Sequence, residues 1–462
     1  MKSKVIHSIE PSTFTGIIGV AEVDITPPIG IYTGNWGAAK QHVATGIHSP
    51  LYLTCLTLQD SDQNQPLVMI SMDLGWWKDG NDEKRVRAAV LSALNLSEEN
   101  LMICLTHTHA GPSICSGDIN KPGGDHIERY LSRLEDAMIK AISQAIGTAK
   151  RSTLTWQYGS CDLAKNRDMS DIHQDRMLVG YNAEVEADNT LLVGRVTDED
   201  HTTRAILVNY ACHPTTLAWE NTEISPDYIG AMRALLRKET GAICLFLQGA
   251  SGELSPIVQY VGQQSVADQH GRMLGYAVLS TLEAMPRANH QLSLDGVVES
   301  GAPLAVWKEK PISVVSLCKA YKITVTLPLK SMPIAAELQA QYEAETDAVL
   351  KERLWRKLCI RRAIGDGFEM ESSVWIWKLG SSYLVGQSNE TYSIFQQRLR
   401  QIISPHTIAV MNLVNGSVGY LPPQSYYDKN VYSVWQTPFE KGSLEILMDQ
   451  LAITLDSIKN RK

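Results

Sequence analysis

The sequence predicts an α/β protein, or a layered α+β variant of it, with one large mixed sheet, helices packed against the sheet and an active site at the strand ends. Three observations lead there. Strand-like apolar runs alternate with amphipathic helical ones from Ile17 to about Ala284. The runs beginning at Leu101, Ala205 and Ile243 each empty into a loop carrying histidine, glycine or hydroxyl residues. A chain of 462 residues, 44% hydrophobic and 20% charged, is ample for a large core.

In chain order, Leu67-Val68-Met69-Ile70-Ser71-Met72 has the apolar, β-branched character of a strand, 82–94 that of a helix, and the run from Leu101 that of the next strand. Apolar positions at helical spacing continue over 127–148, with Lys150-Arg151 where a helix C-terminus favours cations. After Met285-Pro286 the character changes. Residues 287–329 are β-rich, and the charged helical segment 334–364 is expected to be a solvated surface helix or helical hairpin. Strand patterns resume at 374–379 and 383–386. This divides the chain into an α/β core over 1–300 and a β-rich and helical remainder over 301–462 that completes the same catalytic unit, with no internal repeat and no low-complexity linker.

A net charge of −8 gives no basis for gripping a phosphate backbone, so no nucleic-acid partner is expected. No apolar run reaches the ~20 residues of a membrane span, and residues 1–10 lack the apolar centre of a secretory signal. The chain as it stands is expected to be cytoplasmic, or secreted if a signal has already been removed. Eight cysteines without Cys-x-x-Cys spacing, several inside apolar runs such as Ile243-Cys244-Leu245-Phe246, are expected to be buried thiols.

The chemistry concentrates at three strand ends. Side chains two apart on an extended segment point to one side, so His107 and His109, after Leu101-Met102-Ile103-Cys104-Leu105, can converge on one ion or substrate. The bland alternative is two ordinary polar residues. His213 closes a second run, held extended by Pro214, and is either a hydrogen-bonded structural residue or a ligand. The third run ends in Gln248-Gly249-Ala250-Ser251-Gly252-Glu253-Leu254-Ser255-Pro256, whose glycines let backbone approach a ligand closely. Ser255 lies outside any Gly-x-Ser-x-Gly elbow, which leaves it as nucleophile or hydrogen-bond donor without a serine-hydrolase assignment.

In order and spacing, these segments resemble the neutral/alkaline non-lysosomal ceramidase family, zinc amidases that hydrolyse the amide bond of N-acylsphingosines. The matching motifs are Gly19-Val20-Ala21-Glu22-Val23-Asp24-Ile25-Thr26-Pro27-Pro28, Thr106-His107-Thr108-His109-Ala110-Gly111-Pro112, Asn166-Arg167, His213-Pro214-Thr215 and Asp227 with Gly230. They continue through Gly252-Glu253-Leu254-Ser255-Pro256, Asn389-Glu390-Thr391 and Asn415-Gly416-Ser417-Val418-Gly419-Tyr420, so the resemblance spans nearly the whole chain. It implies that His107, His213, Glu390 and Tyr420 hold zinc, a donor set that suits the ion. It also implies that His109, Arg167 and Ser255 line the substrate site: His109 to relay a proton, Arg167 and Ser255 to hydrogen-bond substrate or oxyanion. Read without it, His109 is support for a ligand and Arg167 a surface ion pair. The implied substrate is a small-molecule or lipid N-acyl compound, ceramide-like, cleaved by zinc-activated water with transient contact to a membrane surface.

Two loops depart from the family pattern. Gly252-Glu253-Leu254-Ser255-Pro256-Ile257 stands where ceramidases show Gly-Asp-Val-Ser-Pro-Asn, and Asn166-Arg167 is followed by Asp168-Met169 rather than Ser-Pro. About forty residues follow Tyr420, too few for the C-terminal immunoglobulin-like domain of roughly 100 residues that many members carry. A zinc hydrolase of a smaller soluble N-acyl compound or ester, and a non-catalytic zinc-binding relative, are therefore rival readings. Asp73 and Asp227 are candidates to orient the ligand histidines. Trp36, Trp76, Trp77 and Trp219 either wall an acyl chain or pack in the core.

Overall fold

A strand that buries side chains on both of its faces needs cover on both, and Ser12–Asp24 is of this kind. Phe14, Ile18 and Val20 face one core while Ala21 and Val23 face another. The computed structural model, which describes residues 7–61 and 64–460, places this strand inside an eight-stranded sheet. The order across it is Ile243–Gln248, Thr203–Tyr210, Thr190–Asp198, Lys150–Ser160, Ser12–Asp24, Tyr52–Gln59, Leu67–Met72 and Leu101–Leu105. The inner pairings are antiparallel and the outermost pairing at each edge is parallel. Parallel neighbours require a crossover, supplied by the helix Tyr228–Thr240 at one edge and Gly80–Leu94 at the other.

One face of this sheet carries those two helices together with Ile127–Gly147 and Gln264–Glu283. The other face meets a second sheet, ordered Cys318–Pro328, Glu369–Leu379, Ser382–Gln387, Thr407–Met411. Trp375, Trp377, Leu384 and Met411 of the second sheet pack on Met69, Met102, Leu154 and Trp156 of the first. Helices Ser393–Ile403 and Ser443–Asn460 close the outer side through Phe395, Leu399, Leu447 and Leu451. Ser393–Ile403 is again a crossover, joining the parallel strands Ser382–Gln387 and Thr407–Met411. The result is helices, sheet, sheet, helices, the α/β class with a large mixed sheet that the sequence predicts.

Most element positions follow the sequence pattern: the expected 82–94 helix begins at Gly80, and the 127–148 helix ends at Gly147. The 334–364 segment differs from expectation. It forms two helices, Ala335–Ala344 and Ala348–Ile364, but not a solvated hairpin, since Leu338, Trp355, Leu358 and Cys359 pack against Cys115. Cys115 lies just beyond the His107-Thr108-His109 segment, so the hairpin sits on the functional side of the molecule.

A buried ion pair ties a helix over one edge to a strand near the other. Arg233 donates to both oxygens of Asp73, at 2.6 and 2.9 Å, and Tyr52 N–H donates to the same carboxylate at 2.8 Å. Replacing Asp73→Ala strands the Arg233 charge in the interior and is expected to cost about 3–5 kcal/mol in urea unfolding. The double change Asp73→Leu with Arg233→Met should restore most of that stability. A cost under about 1 kcal/mol for the single change is the value of an exposed pair and would contradict this packing.

Candidate metal centre

Loops leaving the carboxyl ends of the crossover strands converge: 106–112 after Leu101–Leu105, 211–216 after Thr203–Tyr210, 249–253 after Ile243–Gln248, and 388–391 after Ser382–Gln387. Open α/β sheets bind ligands at such ends, where the backbone leaves its ladder.

The first loop does not stay extended. His107 has φ 72°, a region that costs energy for a residue with a β carbon, and its N–H bonds Leu74 O at 2.9 Å, so the chain turns there. A turn rather than strand alternation therefore brings His107 and His109 to the same site. Their rings stand edge to face, with centroids 4.9 Å apart, and only His107 enters the polar group described next.

His107 Nε2 lies 3.2 Å, and His213 Nε2 3.0 Å, from the same Glu390 oxygen, Oε2. The opposite ring nitrogens face backbone carbonyls: His107 Nδ1 to Gly75 O at 3.1 Å, His213 Nδ1 to Ser251 O at 2.7 Å. A carbonyl only accepts, so each Nδ1 carries a proton and each Nε2 is the ring atom turned to Glu390. Burial, with the Arg167 guanidinium beside it, lowers His213 from 6.5 to about 3, which keeps the ring neutral at physiological pH. Burial alone would raise the Glu390 carboxyl, but the facing His107 and His213 hold it well below the usual carboxylate range. Two ring nitrogens and a carboxylate oxygen thus meet in one buried space. A divalent cation satisfies all three, and two imidazoles with one carboxylate are a zinc-type donor set.

The strand register explains how residues far apart in sequence meet here. Asn389–Thr391 pairs parallel with Gly419–Leu421, which sets Glu390 beside Tyr420. Tyr420 Oη lies 3.4 Å from His213 Nε2 and accepts from Arg167 Nη2 at 3.0 Å. Burial, and then the Glu390 charge, push the Tyr420 phenol well above its ordinary 10, so in the absence of a cation it keeps its proton. Arg167 Nη2 also donates to Gly252 O at 2.7 Å and faces His213 Nε2 at 3.3 Å. It is buried at the centre and is not the surface ion pair that its residue type alone suggests. Only glycine fits at 252, where a Cβ would meet Tyr392 Cδ1 at 2.7 Å and Glu390 O at 3.0 Å.

His109 is half-buried, its two ring nitrogens enclosed and without a hydrogen-bond partner among the described residues, between Trp76 at 4.9 Å and Trp36 at 5.2 Å. Burial, then His107 and His213, lower its pKa well below 6.5. It is a neutral imidazole with a lone pair and an N–H both available. Ser255 Oγ is buried and likewise has no hydrogen-bond partner among the described residues. The structure therefore does not tie it to the two histidines and Glu390, although the neighbouring Leu254 O accepts His213 N–H at 2.9 Å.

Asp73 and Asp227 do not orient the histidines. Asp73 is engaged by Arg233, and Asp227 accepts from Leu217 N–H and Tyr228 N–H, while the carbonyls of Gly75 and Ser251 set the ring orientations. Trp76 and Trp77 line the pocket above the centre, together with Lys78, Arg356, Ile360 and Tyr432. Trp36 and Trp219 line a separate recess on the other side of His109. Arg356, Ile360 and Tyr432 carry no local motif, and only helical spacing links Arg356 to Ile360 in the sequence.

Glu253, at the position where the family pattern has aspartate, accepts Ser393 N–H on both oxygens, at 2.9 and 3.0 Å, and the Ser393 hydroxyl. Burial pushes its pKa from 4.5 to about 7.

Comparison with known proteins matches residues 17–270 to a family model described as neutral/alkaline non-lysosomal ceramidase, N-terminal. The neutral ceramidase of Pseudomonas aeruginosa is 23% identical over 253 residues, 52% of this chain and 36% of that protein. That of Drosophila melanogaster is 25% identical over 236 residues, 48% of this chain and 32% of that protein. The matches thus span about a third of the length of these curated relatives. The fold is that of the crystal structure of the Pseudomonas aeruginosa neutral ceramidase, with TM-score 0.67 at 16% identity over 97% of this chain and 75% of that one. A ceramidase complexed with C2 gives 0.66 at 15% identity, over 97% and 76%.

Two outcomes are expected. Zinc added to chelator-treated protein at a hundred times its dissociation constant should stabilise the fold by about 2.7 kcal/mol, read as a rise in unfolding temperature. Glu390→Gln, which keeps shape and removes charge, should lose most of that rise, and an undiminished rise would put the ion elsewhere. Glu253 gives a pH test. Its folded-state value is raised, so the folded protein holds a proton that the unfolded chain releases. That contribution is complete below about 4.5 and is lost as pH rises through about 7. Denaturant titrations should show stability falling over this window in the native chain and a flatter profile in Glu253→Gln; parallel profiles would contradict the burial.

Proposed function

The chain belongs to the neutral/alkaline non-lysosomal ceramidase family, and from that membership we propose that it is a zinc-dependent amidohydrolase cleaving the amide bond of a ceramide-like N-acyl lipid. The observation that carries the reading is the convergence of His107 Nε2 and His213 Nε2 on Glu390 Oε2, a donor set that could hold a cation. His107, His213 and Glu390 would hold the ion, with Tyr420 as fourth ligand. Bound there, zinc supplies Lewis acidity towards the amide carbonyl and lowers the pKa of a water towards ~7.

The surrounding side chains supply the rest. His109 takes a proton from the attacking water at its free ring nitrogen and delivers it to the departing amine nitrogen, a role suited to a neutral, unpartnered imidazole. Arg167, held by Gly252 O and Tyr420 Oη, brings a fixed positive charge to the oxyanion as it forms. Ser255 Oγ is a hydrogen-bond donor to substrate, consistent with its unsatisfied buried hydroxyl. Trp76, Trp77 and Tyr432 wall the acyl part from water. In this reading 1–300 and 301–462 are two parts of one catalytic unit, because Glu390 and Tyr420 meet the histidines of the first part.

Fluorescent ceramide should be hydrolysed, with activity lost on chelation and restored by zinc. His109→Ala should keep its zinc and lose about 10²–10⁴ in kcat. Hydrolysis indifferent to chelation would refute the zinc reading. Cleavage of short-chain amides without ceramide would move the substrate to a smaller soluble N-acyl compound.

A further inference from the structure

The helix Ala348–Ile364 carries six basic residues, Lys351, Arg353, Arg356, Lys357, Arg361 and Arg362, against one acid, Glu352, in a chain of net charge −8. Its two faces differ. Trp355, Leu358 and Cys359 turn inward onto Leu338 and Cys115. The helix Ala335–Ala344, with its acids Glu337 and Glu343, packs on that inner side, where the Tyr342 ring lies 5.5 Å from Trp355. The opposite face presents Val349, Leu350, Arg353, Arg356, Lys357 and Ile360 at helical spacing.

That outer stripe starts at the pocket. Arg356 and Ile360 line the space above the candidate metal centre, and Arg353 stands over the Trp435 ring at 5.8 Å. Trp435, Val349 and Leu350 are 53, 50 and 47% exposed. Part of the positive charge is spent locally, Arg356 on Glu352 and the buried Arg361 on Asp366. Arg353 and Lys357 pair with no carboxylate among the described residues.

We propose that this face, Val349, Leu350, Arg353 and Lys357 with Trp435, docks on an anionic lipid bilayer and sets the pocket mouth against the membrane surface. Unpaired cations read the negative surface potential, while an exposed tryptophan and aliphatic tips enter the headgroup region. The negative charge elsewhere does not cancel this, since salt screens charges beyond about 8 Å. No helix among the described residues is long and apolar enough to cross a membrane, so the contact is peripheral. The inference deepens the lipid-amide reading of the same site, because a substrate dissolved in a bilayer reaches a buried centre only where the mouth meets that bilayer.

Co-sedimentation of the full chain with vesicles tests it. The chain should bind phosphatidylcholine vesicles containing phosphatidylserine, fail to bind phosphatidylcholine alone, and release at high salt. At about fivefold per cation, Arg353→Glu with Lys357→Glu should weaken binding at least roughly 30-fold, and Trp435→Ser should weaken it further. The charge reversals should leave zinc content and cleavage of a short soluble N-acyl amide unchanged while lowering cleavage of ceramide presented in anionic vesicles. No vesicle binding, equal binding to both vesicle types, or binding indifferent to the reversals overturns the docking surface. Loss of the substrate reading registers separately: vesicle binding with the expected charge dependence, but no ceramide cleavage even by the unaltered chain.

Discussion

Two imidazole nitrogens must face one carboxylate oxygen in a buried space. That constraint governs the centre of this molecule. His107 and His213 cannot turn away from that oxygen, because the Gly75 and Ser251 carbonyls hold the Nδ1 protons in place. Nor can the group escape to solvent, since all three side chains are buried. The fold even accepts a positive φ at His107 to aim one ring. The three side chains are a donor set suited to a cation, and His109 and Arg167 lie beside it.

The architecture makes this convergence possible through its parallel edges. Antiparallel strands joined by hairpins send alternate ends to opposite sides, whereas each parallel crossover returns the chain so that neighbouring carboxyl ends lie together. Three such crossovers, two in the large sheet and one in the small, deliver the loops that carry His107, His213 and Glu390. The outermost strand Leu101–Leu105 would otherwise have a bare edge. Asn415 covers it, accepting Ile103 N–H and donating to Leu101 O, both at 2.8 Å. The backbone of Leu413 and Asn415 pairs with the same strand, so this segment closes the edge and fastens the loop leading to Tyr420.

Much of this was legible in the sequence, and the exceptions share a cause. The α/β class and the chemistry at strand ends follow from apolar runs that stop abruptly in His, Gly and Ser, a local pattern. The ceramidase resemblance is likewise carried by short contiguous motifs such as Thr106-His107-Thr108-His109, and family membership bears it out. What failed depended on geometry that residue identity does not encode. Spacing suggested that alternation along a strand brings His107 and His109 to one side, but a turn with positive φ at His107 is what sets them side by side. Asp73 had the right place to orient a histidine, yet Arg233, 160 residues away in sequence, claims both its oxygens. The charged segment 334–364 looked like solvated surface because its outer face mixes cations with apolar tips, which masks the inward stripe of Trp355, Leu358 and Cys359. Arg356 and Tyr432 reach the pocket only through tertiary packing, and neither carries a local signal.

The central claim is that one cation belongs between two imidazole nitrogens and one carboxylate oxygen. Diffraction from crystals of zinc-loaded protein, recorded on both sides of the zinc absorption edge, tests it most directly. A single anomalous peak at His107 Nε2, His213 Nε2 and the Glu390 carboxylate, with Tyr420 Oη as the remaining protein donor, is the expected result. No peak there, or zinc bound only at other side chains, would contradict the account.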